Sequence, residues 1–350
     1  MRQRLHLPTP TQTVLRNFSV SDPFLIGVSG GRDSVTLLDW LVRAGYHNLI
    51  VCHLNHQLRG RSSDADARFV EKLVTKYKSK IVTGESSSPE FKIGKRSARP
   101  TTAGCNLDLV IDSTDVRALA SKKKMSIETA AREARYAFFA RVAKRKKYRT
   151  ILLAHHADDL VETFLINLFR GAGGAGLVGM RESSQHHVNG FSLQIVRPLL
   201  GVWRTDIDKY IRHHRLPFRE DASNAELGPL RNRIRHRVLP YLERSVGRQI
   251  RQNIWRTAMI FSDEETFFSE LLPQVPVGVT ELALEALRKM SVALQRRTLH
   301  QWLRSAKVSD VGFEVIERIR GLLDIATGSA RTNLSKNRHV RRRAGKLILE

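Results

Sequence analysis

Apolar positions in the first 216 residues fall into short runs separated by stretches with helical spacing. Phe24-Leu25-Ile26-Gly27-Val28 is one such run, ending in Ser29-Gly30-Gly31, and Val35 to Arg43 follows with helical periodicity. Leu49-Ile50-Val51-Cys52 reads as a second strand. A helix is expected from about Ser63 to Lys76, opening on Ser63-Asp64 as caps. Ile81-Val82 and Leu107 to Ile111 both have strand character, and the pattern leaves open which is the third strand. Ser126-Ile127-Glu128 leads a helix to about Lys147, Thr150 to Ala154 is a buried strand, and Ala157 to Phe169 is a helix closed by Arg170-Gly171. Such alternation predicts βαβ units in a doubly wound, mainly parallel α/β sheet with helices on both faces. After about Leu216 the pattern turns helix-like, with a turn-rich end from Thr327. Two domains are therefore expected, an α/β domain over 1–216 and a smaller, mostly helical one over 217–350. Gly84 to Asn106 is rich in Ser, Pro and basic residues and reads as an inserted loop, 84–106.

Composition adds a partner to this picture. The 350 residues are 41% hydrophobic, which excludes a wholly disordered chain, but 59 Lys+Arg against 34 Asp+Glu leave a formal charge of +25. The excess is concentrated. Residues 117–149 hold twelve Lys/Arg and two acids, 331–349 hold seven and none, and 203–256 hold thirteen and six. One basic run alone is commonly a solvated helix face. Three runs, the middle of the chain favouring arginine with its planar fork, point to phosphates and hence to nucleic acid. No partner membrane is expected: no run of 18 apolar residues exists, and Ala137-Phe138-Phe139, which supplies part of the apolar face an interfacial helix needs, reads as the buried face of an ordinary helix. Cys52 and Cys105 are too few for a disulfide framework or a four-cysteine metal site. Met1 to Pro10 lacks the apolar core of a signal peptide, so a cytoplasmic location is expected.

Two junctions carry candidate chemistry. Ser29-Gly30-Gly31-Arg32-Asp33-Ser34 stands between a strand and a helix, where glycines let backbone N–H groups approach an oxyanion and the helix N-terminus adds partial positive charge. It is neither a Walker A loop nor a GxGxxG turn. The alternative is a glycine-rich turn with a Ser/Asp cap. His155-His156-Ala157-Asp158-Asp159-Leu160-Val161-Glu162 stands at a second strand-to-helix junction. Asp158 and Glu162 are four apart and Asp159 and Glu162 three apart, so carboxylates share a helical face and suit Mg²⁺ beside phosphate oxygens; zinc, or an acidic first turn that complements the helix dipole, are the alternatives. The glycine-rich stretch Arg170 to Gly179 reads as a mobile connection or a lid, Arg231 to Arg237 as a basic segment, and the tryptophans as packing residues.

Taken in order, these segments resemble the tRNA(Ile)-lysidine synthetase family of the PP-loop ATP pyrophosphatase group. Ser29–Ser34 matches the SGGxDS signature of the group. His53-Leu54-Asn55-His56, Glu128 with Ala131–Tyr136, His155–Thr163, Arg197-Pro198-Leu199-Leu200, and Glu220-Asp221-Ser223-Asn224 with Arg231–Arg235 match narrower family segments. The resemblance implies a PP-loop ATP pyrophosphatase domain followed by a tRNA-binding domain. It implies an ATP-dependent ligase that adenylylates the wobble cytidine of the CAU anticodon of isoleucine tRNA and then joins free L-lysine to it, releasing AMP and pyrophosphate. It implies ATP binding by Ser29, Gly30, Gly31, Arg32, Asp33, Ser34, His53 and Asn55. Catalysis would fall to Asp33, Asp159 and Glu162, with Mg²⁺ on Asp33 and Asp159, and tRNA binding to Arg132, Arg135, Arg231, Arg233 and Arg235. The expected substrate lies across both domains. The chain looks like the shorter family members, which lack a final acceptor-binding domain. Oligomeric state is left open, a homodimer being one option.

Three rivals follow from the same residues. A tRNA thiolase of the group would need reactive cysteines, and neither Cys52 nor Cys105 belongs to a CxxC. A non-catalytic RNA binder has no need of carboxylates beside a phosphate loop. An amide-forming ligase on a small substrate leaves the basic surface unexplained.

Overall fold

The computed structural model describes residues 14–58, 60–82, 106–220, 229–247, 249–273, 276, 278–324, 330–335 and 337–350. The expected insertion 84–106 thus lies outside the described residues, apart from Asn106. The chain forms two compact units, 1–261 and 262–350.

In the first unit the elements run β1 (Phe24–Gly27), α1 (Arg32–Arg43), β2 (Asn48–Asn55), α2 (Arg61–Val82), β3 (Asn106–Ser113), α3 (Val116–Lys123), α4 (Ile127–Lys146), β4 (Thr150–Leu152) and α5 (Ala157–Phe169). They continue with α6 (Gly174–Leu177), β5 (Ser183–Val188), β6 (Phe191–Val196), α7 (Arg204–His214), α8 (Leu230–Arg233), a π-helical turn (Ile234–Val238), α9 (Leu239–Ser245) and α10 (Ile250–Leu271), which runs on into the second unit. The sheet order is β3-β2-β1-β4-β6-β5, parallel except for the antiparallel β5–β6 pair. The expected doubly wound fold is what forms.

Strand alternation explains the layering. Phe24 and Ile26 point to one face, where Val35, Leu38 and Leu41 of α1, Val70 and Val74 of α2, and Ile207 and Ile211 of α7 close over them. Leu25, Ile50 and Cys52 point to the other face and meet Phe138, Phe139 and Val142 of α4. Gly27 on that face is glycine for space: a Cβ would stand 2.7 Å from Leu153 Cδ2. Helix ends follow ordinary capping. Ser126 accepts from Thr129 N–H at 3.2 Å, and Lys144, Arg145 and Lys146 close α4 where its dipole favours cations. Ile81-Val82 forms the last turn of α2 and not a strand, because the helical periodicity of Val70, Val74 and Tyr77 carries on through it. The third strand is Asn106–Ser113, paired in parallel with β2 along its whole length.

The first unit extends past residue 216. Ile234, Leu239 and Ala258 are buried against Leu160, Val161, Phe164 and Leu165 of α5, so the segment after the sheet packs back onto it. The second unit adds β7 (Glu281–Ala283), α11 (Leu284–Arg288), α12 (Val292–Ser305), α13 (Phe313–Gly321), β8 (Arg331–Asn333), β9 (His339–Arg343) and β10 (Lys346–Leu349). Its strands form an antiparallel sheet, β7-β10-β9-β8, that the helix-like pattern did not foretell. Val340, Leu347 and Leu349 of the sheet bury against Leu299, Trp302 and Ile319. No helix among the described residues is long and apolar enough to cross a membrane.

One polar knot lies inside the first core. Asp39, 1% exposed, accepts from Tyr77 Oη of α2 at 2.7 Å, Tyr210 Oη of α7 at 2.8 Å and Arg43 Nε at 2.7 Å. It ties three helices together on the face behind the glycine loop. Asp39→Ala leaves those donors without their acceptor and should cost about 3–5 kcal/mol, read as a lower urea midpoint, whereas Tyr210→Phe removes one hydrogen bond to the carboxylate and should cost about 1.5–3 kcal/mol.

Candidate active site

In the strand order, β1 separates β2 from β4, and the chain connections pass over opposite faces on its two sides. The crevice outside the carboxyl ends of β1 and β4 is therefore the topological switch point, where doubly wound sheets receive ligands. Both candidate junctions open there.

After β1, Gly30 takes a φ of +91°, which only glycine adopts without strain, and a Cβ would also stand 3.3 Å from Phe69. The loop holds its own shape. Gly31 N–H donates to Ser29 Oγ at 3.3 Å, Ser34 Oγ donates to Gly31 O at 2.9 Å, and Ser29 N–H donates to Ser34 Oγ at 3.2 Å. His53, buried on β2, supports the strand end through Nδ1 at 2.8 Å from Val28 O. Burial lowers its pKa. Asn55 donates to Asp64 at 2.9 Å and accepts from Gln57 N–H at 2.9 Å, so it shapes the turn after β2. Arg32 donates to Asp208 at 2.7 Å and lies 4.9 Å over the Phe218 ring.

After β4, four carboxylates meet four guanidiniums and one imidazole. Glu162 is fully buried; Arg231 Nε reaches it at 2.7 Å, and Arg235 binds both its oxygens at 2.6 and 3.0 Å. The π-helical turn after α8 places these two arginines, four apart in sequence, on one carboxylate. Arg231 also donates to Asp159 Oδ1 at 3.0 Å. Arg251 donates to Asp158 Oδ1 at 3.0 Å, and Arg204 Nη1 donates to both oxygens of Asp33 at 2.8 Å. His156, 2% exposed, sits among them: its Nε2 is 3.9 Å from Asp33 and 3.6 Å from Asp159, and its Nδ1 is 3.6 Å from Asp158.

The charges shift accordingly. Burial disfavours the His156 imidazolium, but Asp159, Asp158 and Asp33 outweigh it and lift the pKa to about 9. Burial raises the Asp33 carboxyl, although His156 and Arg204 oppose it. For Asp159 burial is overcome by His156 and Arg231, and its pKa falls well below the ordinary carboxylate range. His155 is held neutral, down to about 3, by burial and by the cations Arg197, Arg231 and Arg135.

Of the expected site residues, this cluster gathers Asp33, Asp159, Glu162, Arg231 and Arg235. Glu162 is closed off by its two arginines, whereas Asp33 keeps 28% of its side-chain surface and Asp158 and Asp159 keep 13% and 15%. Arg132 and Arg135 are exposed on α4, where Arg132 lies 5.0 Å over Tyr136, and Arg233 is exposed on α8. Asp221, Ser223 and Asn224 lie outside the described residues. Missing from the sequence-based set are His156, Arg204 and Arg251. Arg204 had a signal: it opens a helix, where the dipole disfavours a cation unless an anion holds it. The tryptophans pack as expected; Trp302 is fully buried and Trp255 Nε1 donates to Leu200 O at 3.2 Å. Cys52 is no reactive thiolate: buried in β2, its thiol is pushed up to about 12. Cys105 lies outside the described residues.

Mg²⁺ favours oxygen ligands, commonly one or two carboxylates with phosphates and water. Asp33 and Asp159, both within 4 Å of one His156 nitrogen, offer such a pair. Among the described residues no group of three or more His, Cys, Asp or Glu is arranged to hold a metal by itself.

Residues 6–242 match the PP-loop domain family, and residues 282–348 match the TilS substrate binding domain. The tRNA(Ile)-lysidine synthase of Geobacter sulfurreducens is 36% identical over 91% of this chain, which spans 62% of that protein. That of Chlorobaculum tepidum is 32% identical over 88% of this chain and 85% of its own length. Among solved structures, the U34-tRNA thiolase NcsA from Methanococcus maripaludis shares the fold, with a TM-score of 0.51, 16% identity and coverage of 72% of this chain and 78% of its own.

The elevated His156 pKa fixes a pH dependence. An unfolded histidine titrates near 6.5 and the folded one at about 9, so the stability from its ion pairs is complete below about pH 6.5 and fades as pH rises through about 9. The difference in urea midpoint between wild type and His156→Gln should therefore shrink from about pH 6 to about pH 10; a constant difference would contradict the assignment.

Proposed function

The chain belongs to the tRNA(Ile)-lysidine synthase family, and from that premise we propose that it joins free lysine to the wobble cytidine of a CAU-anticodon isoleucine tRNA at the expense of ATP. The observation that carries this reading is the meeting of the Ser29–Ser34 loop with Asp33, Asp159 and their arginines at the switch point. In the first step the cytosine 2-carbonyl oxygen bonds to the α-phosphorus of ATP, and pyrophosphate leaves with the electrons of the broken P–O bond. In the second, the lysine ε-amine bonds to carbon 2, and AMP leaves with the former carbonyl oxygen.

The chain's own residues suit these demands. The Ser29–Ser34 loop, with Gly30 at a φ of +91°, and the N-terminus of α1 favour the pyrophosphate, whose charge grows as it departs. Asp33 and Asp159 would hold Mg²⁺, which supplies charge neutralisation at the phosphates. A carboxylate of this group not taken up by the cation would orient the lysine ammonium and accept the proton it must lose before it can attack. Arg231 and Arg235, aimed by buried Glu162, set positive potential on the opposite wall. The exposed arginines Arg132, Arg135 and Arg233 supply tRNA affinity through phosphates and leave sequence discrimination to other contacts. A cytoplasmic site of action accords with these substrates.

The decisive assay mixes the protein with ATP, Mg²⁺, labelled lysine and unmodified CAU isoleucine tRNA, with methionine tRNA as the control. Lysine should enter the isoleucine tRNA alone, with one AMP and one pyrophosphate released per lysine. No incorporation at low salt, or equal incorporation into both tRNAs, defeats the proposal. Separately, Arg132→Ala and Arg233→Ala should each weaken tRNA binding across salt concentrations and reduce the slope of log K against log salt by about 1.

A further inference from the structure

Arg204 is the first residue of α7, and its position there is electrostatically awkward. A guanidinium at a helix N-terminus meets the positive end of the dipole, so its location must be set by anions. Three carboxylates do so. Its side chain spans both oxygens of Asp33, its Nε lies 3.7 Å from Asp208, and its backbone N–H donates to Asp158 at 3.0 Å. Arg204 thereby touches the loop after β1 through Asp33 and the loop after β4 through Asp158. The helix behind it is tied to α1 by the Tyr210–Asp39 hydrogen bond, so the Arg204 backbone is fixed while its side chain stays partly open. Both members of the pair are accessible, Arg204 at 32% and Asp33 at 28% of side-chain surface, unlike the Glu162 pairs, whose carboxylate is fully buried.

We propose that Arg204 is a further catalytic residue of this site, one that holds Asp33 until a nucleoside triphosphate binds and then transfers its guanidinium to the phosphates. The proposal rests on the ATP-dependent reading given above. Charge pairing favours the exchange. Triphosphate and divalent cation enter together; the cation suits the Asp33 oxygens and the phosphate suits the guanidinium fork, so both charged groups keep partners throughout. Every other arginine of the cluster is committed to a carboxylate at the β4 junction: Arg231 and Arg235 to Glu162, Arg251 to Asp158. Arg204 alone among them grips a residue of the phosphate loop itself. When the cytosine oxygen bonds to the α-phosphorus and pyrophosphate leaves, Arg204 would stand beside the oxygen that gains charge.

A permanent counter-ion role for Arg204 predicts something different, and ATP affinity separates the two. ATP binding to the full chain is measured by calorimetry, with Mg²⁺ and with EDTA, for Arg204→Ala in the wild-type and Asp33→Asn backgrounds. If Arg204 transfers to phosphate, Arg204→Ala weakens ATP binding at least tenfold even when residue 33 is already neutral, and Arg204→Lys recovers only part of the loss. If it serves Asp33 alone, the substitution changes ATP affinity less than twofold in the Asp33→Asn background, and the proposal is overturned. Isoleucine tRNA affinity should stay within twofold of the parent in either background; a parallel tenfold loss there means a structural role and also overturns it. Should Arg204→Ala fail to fold, Arg204→Gln carries the same comparison. Lysine incorporation is scored separately, so a protein that binds ATP through Arg204 yet transfers no lysine refutes the functional reading and leaves this one standing.

Discussion

Glu162 has no exposed surface, and a carboxylate removed from water must be met by cations and hydrogen bonds or it will not stay charged. The rest of the site follows from that requirement. Arg231 and Arg235 come from a segment about seventy residues further along the chain, and their convergence pulls α8 and the π-helical turn against α5. The apolar contacts of Ile234 and Leu239 with α5 reinforce the same docking. With Glu162 satisfied, Arg231 has a second bond to offer Asp159, and Asp159 in turn stabilises the His156 imidazolium. One buried charge thus organises a network that reaches Asp33 and the glycine loop.

The sheet gives this network its location. A doubly wound sheet leaves a crevice where connections leave adjacent strands toward opposite faces, and here those strands are β1 and β4. The loops beyond them carry the glycines on one side and the His-Asp segment on the other. Asp39, on the reverse side of α1, links α1 to α2 and α7 through two tyrosines, and so holds the helix that carries Arg204 against the helix that carries Asp33. Strong ion pairs at the mouth and a satisfied polar knot in the core share one helix, α1, as their common support.

Much of this was legible along the chain, and what was not has identifiable causes. β1, β2, β4, α1, α4 and α5 could be read because each has either a short apolar run or a clear helical period. Ile81-Val82 misled because two β-branched residues at the end of a helix look like a strand when read without the turns before them. The β5–β6 hairpin escaped notice because Ser183-Ser184-Gln185-His186-His187-Val188 is polar at five of its six positions and lies at the sheet edge. The antiparallel sheet of the second unit escaped for a related reason: His339 to Arg343 offers one buried apolar residue, Val340, among arginines.

The sequence by itself determined the local devices: a glycine loop between strand and helix, carboxylates spaced along a helical turn, and enough alternation of strand and helix to require a parallel sheet. These depend on residues within a few positions of one another, and short-range spacing encodes them fully. Only the tertiary structure decided which charges meet. Arg231 and Arg235 could have been read as free phosphate ligands, but folding commits them to Glu162, while Arg204, unremarkable in sequence, is brought 171 positions back to Asp33. Ion pairing acts through space, and it selects partners by burial and geometry that no linear spacing records.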